Sequence, residues 1–158
     1  MDASWQQVAS DFEPDGSLHD IYVQGATLAD WDRVVALLHR GYSPLTFTRD
    51  GKSFPFPETA AAIFNERENA SIALDFDVGG IELACHFFTE NEIEFDLPPE
   101  QVNSHQRFLA LQDFLRELAA TVGKTVVLAP ESTPTAPILV VDPSGTVIFH
   151  PPSDAPAT

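Results

Sequence analysis

The stretch that decides the fold covers residues 70–97 and reads ASIALDFDVGGIELACHFFTENEIEFDL. Apolar and polar residues alternate through three runs, which is the period of a β-strand with one buried face. The Gly79-Gly80 pair between the first two runs is typical of a two-residue hairpin turn. The stretch therefore predicts three consecutive antiparallel strands, each with an apolar face and an acidic face.

The two turns of this stretch determine which side chains face one another. The glycine turn places Asp77 opposite Glu82, because a slip of one residue would move every apolar side chain to the wrong face. We predict a three-residue second turn in which Asn91 is left-handed, and this turn places His86 opposite Glu94. Like charges opposite each other destabilise a sheet, so the acidic face suggests a purpose other than stability.

The net charge sets this composition apart from that of an ordinary globular protein. The 158 residues include 24 Asp and Glu but only 8 Lys and Arg, which gives a formal charge of −16. Residues 68–106 contain nine acidic residues and no Lys or Arg. A negative field of this strength argues against nucleic acid and anionic membranes as partners, and it favours a basic protein partner.

Patterns outside the central stretch predict the remaining elements. Capping residues and helical spacing predict one helix that Thr27 caps and Gly41 ends, and a longer one that Asn103 or Ser104 caps and Gly123 ends. Residues 8–12 and 18–24 flank a turn sequence and predict a first hairpin, and Pro57 suits the start of a short helix. The predicted fold class is α+β, with a single antiparallel, meander-rich sheet and two main helices packed on one face.

The length and apolar content predict one domain. A chain of 158 residues that is 44% hydrophobic can bury one core, and we assign residues 1–150 to a single α+β domain. Residues 151–158 are expected to form a disordered tail. The run Ile138-Leu139-Val140-Val141 is apolar on both faces, which predicts either a covered strand or a homodimer surface.

Cysteine usage and the absence of targeting patterns favour a cytoplasmic protein. Cys85 is the single cysteine of the sequence, so an internal disulfide is impossible, and its strand position predicts a buried thiol. The first residues show no signal-peptide pattern. No apolar run approaches the ~20 residues that span a membrane.

Enzyme and cofactor motifs are missing from the sequence. It has no Gly-x-Ser-x-Gly motif, no phosphate-binding glycine loop and no dinucleotide fingerprint, so we expect no cofactor and favour a non-enzymatic protein. The alternative is a metal-binding or hydrolytic site made of His86, Glu94, Asp75 and Asp96. Exposed strand positions provide no pocket to exclude water, which weighs against that alternative.

The acidic face is the candidate binding surface. It combines carboxylates with an exposed aromatic side chain, as a surface that docks a cationic protein requires. The predicted binding residues are Asp75, Asp77, Glu82, Phe88, Glu92, Glu94 and Asp96. The size and charge match those of small acidic inhibitors such as bacterial immunity proteins, so the specific hypothesis is an inhibitor of a basic toxin. A self-associating structural module built on residues 138–141 is a further alternative.

Overall fold

The computed structural model describes residues 3–150, and the tail predicted at residues 151–158 lies outside them. Within that range, nine strands form one antiparallel sheet, and the helices pack on it. This arrangement confirms the predicted α+β fold class. The buried apolar side chains form a core cluster between the sheet and the helices.

The elements follow one another in an order that begins with helix and ends with strand. The helices are α1 (Trp5–Val8), α2 (Leu28–Gly41), α3 (Ala60–Arg67) and α4 (His105–Val122), with two short 3-10 helices at Ala9–Phe12 and Pro99–Gln101. The strands are β1 (His19–Gln24), β2 (Thr46–Arg49), β3 (Lys52–Phe54), β4 (Ile72–Val78), β5 (Ile81–Thr89), β6 (Glu92–Leu97), β7 (Val126–Pro130), β8 (Leu139–Val141) and β9 (Val147–Phe149). Their order across the sheet is β3-β2-β4-β5-β6-β1-β7-β8-β9.

The central meander β4-β5-β6 has the predicted faces and the predicted first register. Asp77 pairs with Glu82 across the glycine turn, and His86 pairs with Glu94 in the second hairpin. The inward side chains of all three strands are buried, whereas the outward ones are exposed or half-buried. The alternation therefore determined both strand pairings correctly over most of their length.

The second turn differs from the prediction. Thr89 pairs with Glu92, so the turn has two residues, and the register shifts between His86 and Thr89. Asn91 is absent from the residues with positive φ, so the predicted left-handed turn is wrong. Between these two pairs β5 has two residues and β6 has one, so β5 contains a β-bulge.

The two main helices cover the inner face of the sheet. Thr27 and Asp30 form a reciprocal capping box at the start of α2, and the Ser104 hydroxyl caps α4. Gly123, with φ of 66°, ends α4 in the left-handed conformation that glycine adopts without strain. Trp31 on α2 is fully buried, as its helical position predicts.

Two of the smaller sequence predictions are wrong. Residues 8–12 are helical and therefore form no hairpin with β1. Strand β1 pairs with β6 and β7 instead. A capping box between Ser4 and Gln7 begins α1. The short helix α3 begins at Ala60 behind a Thr59 cap, three residues after Pro57.

Strand β8 is covered within the chain. It pairs with β7 on one side and β9 on the other, and Ile138, Leu139 and Val141 are buried. Only the half-buried Val140 side chain of that run reaches the outer face. The covered-strand interpretation of this run is therefore the one that the fold supports.

Candidate partner-binding face

The outward side chains of β4, β5, β6 and β1 form the surface that we call the acidic face. Four of the predicted binding residues are half-buried (Asp75, Glu92, Glu94, Asp96), and three are exposed (Asp77, Glu82, Phe88). All seven lie on this face, because the strands that carry them pair directly in the sheet.

Two residues that the sequence analysis missed complete the acidic face. Strand β1 adds alongside β6 and places Asp20 opposite Asp96 and Tyr22 opposite Glu94. The Tyr22 hydroxyl donates to Asp20 Oδ2 at 2.6 Å, and the Ser132 backbone N–H donates to the same oxygen at 2.9 Å. Burial and the bond to Asp20 raise the pKa of Tyr22. Asp20 was missed because the pairing of β1 with β6 is a long-range contact without a local sequence signal.

No arginine or lysine takes an outward position in the nine strands of residues 3–150. Arg49 on β2 and Lys52 on β3 are cross-strand neighbours, and both lie in the inward register of the buried Phe47. The outward positions of β2 are threonines, Thr46 and Thr48. The acidic face is therefore not neutralised by any lysine or arginine of these strands.

His86 and Phe88 form a small aromatic unit within the acidic face. His86 Nε2 donates to Asp96 Oδ2 at 2.7 Å, and this bond raises the pKa of His86. The Phe88 ring stacks on the imidazole, with 5.1 Å between centroids and 9° between planes. Phe88 is 55% exposed, at the outward position that follows His86 in the alternation of β5. A large apolar ring thus stands at the edge of the carboxylates.

The carboxylates of the acidic face repel one another. Burial, followed by the charges of Asp20 and Glu92, raises the pKa of Glu94 from 4.5 to about 7. Burial and the charge of Glu82 raise the pKa of Asp75. A raised carboxyl pKa means that the folded chain destabilises the charged form, and a neighbouring cation would relieve this cost.

The negative surface continues around the glycine turn onto α4. A depression of ≈ 480 Å³ lies there, lined by Asp77, Asp113 and Glu117 among others. A smaller depression of ≈ 150 Å³ lies on the acidic face itself, between Thr46, Asp75 and Glu82. The two share Asp77, so this side chain connects the acidic face to the acidic end of the helix.

The acidic side chains of the described residues do not gather into a metal site. Among residues 3–150, no group of three or more His, Cys, Asp or Glu side chains is placed to hold a metal ion. The metal-binding alternative built on His86 therefore gains no support. Cys85 is fully buried, and burial raises the pKa of its thiol, so it is not a nucleophile.

The comparisons with known proteins yield one structural likeness. No protein-family model matches the sequence, and the search of curated proteins found no match. One solved chain belongs to the crystal structure of the toxic C-terminal tip of CdiA from Pseudomonas aeruginosa in complex with immune protein. It is 9% identical, with a TM-score of 0.49, and the match covers 78% of this chain and 94% of that chain. Separately, none of the helices in residues 3–150 is long and apolar enough to cross a membrane.

Proposed function

We propose that this chain is a non-enzymatic binding protein that docks a basic protein partner through the acidic face. The observation that carries the proposal is a sheet face with raised carboxyl pKa values and no fixed lysine or arginine. The carboxylates of such a face repel one another, and a cationic surface that covers them offsets this repulsion. Binding of that surface is therefore favourable. The proposed contact residues are Asp75, Asp77, Glu82, Phe88, Glu92, Glu94 and Asp96.

The biological form of the proposal is an inhibitor of a basic toxin in the cytoplasm. A net charge of −16 on 158 residues raises the association rate with a cationic protein by long-range attraction. Speed matters for an inhibitor, because it must cover its target before the target acts. The buried, unpaired thiol of Cys85 suits a reducing compartment.

The test uses two double variants and is run at about pH 8, where Glu94 is mostly ionised and both variants change the net charge almost equally. Glu82→Lys/Glu94→Lys reverses two charges on the acidic face, and Glu13→Lys/Glu58→Lys reverses two exposed charges elsewhere. The probe is a synthetic peptide of six alternating Lys and Arg residues followed by six alternating Gly and Ser residues, titrated by calorimetry at two salt concentrations. We expect the first variant to bind roughly tenfold more weakly than the wild type and the second to bind almost normally. Equal losses in both variants would show a general polyanion effect and overturn the proposal.

The same pair of variants then selects the natural partner. Proteins captured from a cell lysate by the wild-type chain are identified by mass spectrometry, purified and titrated individually. A partner of this face must be basic, must bind in a salt-dependent manner, and must lose affinity for Glu82→Lys/Glu94→Lys alone. A captured protein that binds both variants equally is not a partner of the acidic face.

A further inference from the structure

The outward surface of the sheet does not stay acidic across its whole width. Tyr22 pairs with Glu94 on one side and with Val127 on the other, and the same row continues through Val140 to Ile148. Four strand spacings separate Glu94 from Ile148, a distance of about 19 Å along the row. A single row of cross-strand neighbours thus runs from carboxylate to aliphatic side chains, and the buried Tyr22, which is 5% exposed, fills the position between them.

The aliphatic end of this row is open to solvent. Ile148 is 51% exposed at the centre of the edge strand β9, and Val140 and Val127 beside it are half-buried. The inner face of the same strands is covered, since α4 packs against β7 and β8. A depression of ≈ 400 Å³ adjoins Val127, between Gln24 and Thr125. We call these three side chains, Val127, Val140 and Ile148, the apolar row.

We infer that the apolar row is the second half of the docking surface, and that it receives an apolar patch adjoining the basic patch of the partner. This inference rests on the proposed function, because it takes the acidic face as the first half. It identifies the partner surface more narrowly than charge alone does: basic over β4 to β6, and aliphatic or aromatic over β7 to β9.

Energetics require an apolar contribution of this kind. Buried charge pairs across an interface gain attraction but lose hydration, so many of them add little net affinity. Stable interfaces therefore combine a desolvated apolar core with charged surroundings. Among the described residues of the acidic face, Phe88 is the large apolar side chain that is exposed, and the apolar row adds three β-branched side chains.

The apolar row could be covered by a basic partner or by a second copy of this chain, and charge favours the basic partner. Two copies that met through their apolar rows would bring two chains of charge −16 together, with their acidic faces on one continuous surface. Repulsion between such surfaces opposes association. A basic partner that covers the apolar row meets attraction from the neighbouring carboxylates instead.

The test compares two peptides of equal charge. The first is the Lys/Arg peptide with a Gly/Ser block used above, and the second replaces that block by six alternating Leu and Ala residues. Six extended residues span about 20 Å, enough to reach from Glu94 to Ile148. We expect the Leu/Ala peptide to bind the wild type about tenfold more tightly, and we expect Val140→Thr/Ile148→Thr to remove that advantage.

The control variant is Phe54→Thr, which removes another exposed apolar side chain on the opposite edge strand β3. It should leave both affinities unchanged. Threonine keeps the β-branched shape at positions 140 and 148, so the sheet is preserved, as circular dichroism will show.

Each outcome of this test has a separate meaning. Equal binding of both peptides, with losses confined to Glu82→Lys/Glu94→Lys, overturns this inference and leaves the proposed function standing. Insensitivity to Glu82→Lys/Glu94→Lys overturns the proposed function as well. A concentration-dependent dimer in sedimentation that Val140→Thr/Ile148→Thr abolishes would assign the apolar row to a second copy and would also overturn the inference.

Discussion

His86 and Asp96 form an ion pair on the acidic face, with 2.7 Å between Nε2 and Oδ2. The two residues lie on the neighbouring strands β5 and β6. Glu94 is directly opposite His86, and Asp96 is its diagonal neighbour. The bond to Asp96 keeps a partly covered imidazole protonated at a pH where an ordinary histidine is neutral. The face therefore contains one histidine cation, surrounded by carboxylates.

The first prediction concerns the origin of that charge. Asp96→Asn should lower the pKa of His86 towards its ordinary value, because the hydrogen bond to Asp96 is the largest cause of its increase. A pH titration of the histidine ring protons by NMR measures this value directly. Asp77→Asn, on the same face but without a bond to His86, is the matched control. An unchanged pKa in Asp96→Asn would show that Asp96 does not set the charge of the imidazole.

The second prediction concerns stability and pH. The pKa of Glu94 in the folded chain is raised to about 7, so the folded state holds an extra proton between pH 4.5 and 7 and loses stability as pH rises through that window. The raised pKa of His86 acts in the same direction, since its contribution is lost as pH rises through the folded pKa. We expect a smaller free energy of unfolding at pH 8 than at pH 5.5, measured with urea.

The variant Glu94→Gln tests the cause of this pH dependence. The amide keeps the size of the side chain and cannot ionise, so it should reduce the loss of stability between pH 5.5 and 8. Glu90→Gln, in the exposed turn before β6, should leave the pH dependence as in the wild type. A Glu94→Gln chain with the wild-type dependence would contradict the repulsion argued for the acidic face.

The third prediction concerns the packing of the glycine turn against α4. Gly79 has φ of 57°, and a Cβ there would lie 2.4 Å from the Cβ of Ala110. Gly79→Ala should therefore destabilise the chain by about 2 kcal/mol or more, through backbone strain and overpacking together. Gly145→Ala isolates the strain, because Gly145 also has positive φ but has no atom within 4 Å of its virtual Cβ.

A double variant separates the two causes at Gly79. Adding Ala110→Gly removes the clash but keeps the strain, so part of the lost stability should return in a urea titration. Ala110→Gly alone costs about 1 kcal/mol as a helix-interior glycine, and that value is subtracted in the double-mutant cycle. Strict additivity of the two changes would show that the turn and α4 do not press on each other.

The fourth prediction concerns a buried carboxylate at the start of α2. Asp30 is 2% exposed, accepts from Lys124 Nζ at 2.7 Å and from Arg33 at 2.8 Å, and completes the capping box with Thr27. Burial opposes its charge, but the bonds from Lys124 and Thr27 lower its pKa overall. Asp30→Ala should lower the free energy of unfolding by about 3 kcal/mol, because it leaves the half-buried Lys124 ammonium without its carboxylate and removes the helix cap.

Asp113→Ala is the matched control for Asp30→Ala. Asp113 also faces an arginine three residues away, at 4.0 Å from Arg116, but its side chain is 79% exposed. Removing its carboxylate should lower the free energy of unfolding by less than about 0.5 kcal/mol, as for other exposed ion pairs. The contribution of Asp30 should vanish only as pH falls through its lowered pKa, which lies below the ordinary 3.8. Equal costs for the two variants would argue against a buried ion pair.

The local periods of the sequence determined the central meander and the two main helices. Alternation with period two identifies β4, β5 and β6 and assigns each side chain to a face, because the strand geometry itself alternates. Asp77 and Glu82 could therefore be paired from the sequence alone, and so could His86 and Glu94. The carboxylates of these strands were predicted as one surface for the same reason.

Tertiary structure alone decided what borders that surface. The insertion of β1 between β6 and β7 brings Asp20 and Tyr22 to the acidic face, and it joins that face to Val127 and the rest of the apolar row. These contacts join residues more than seventy positions apart, and the order of strands depends on the whole core. The bulge in β5 between His86 and Thr89 likewise has no signal in the local alternation. Local sequence patterns report the period of a strand, whereas its neighbours are chosen by the free energy of the complete sheet.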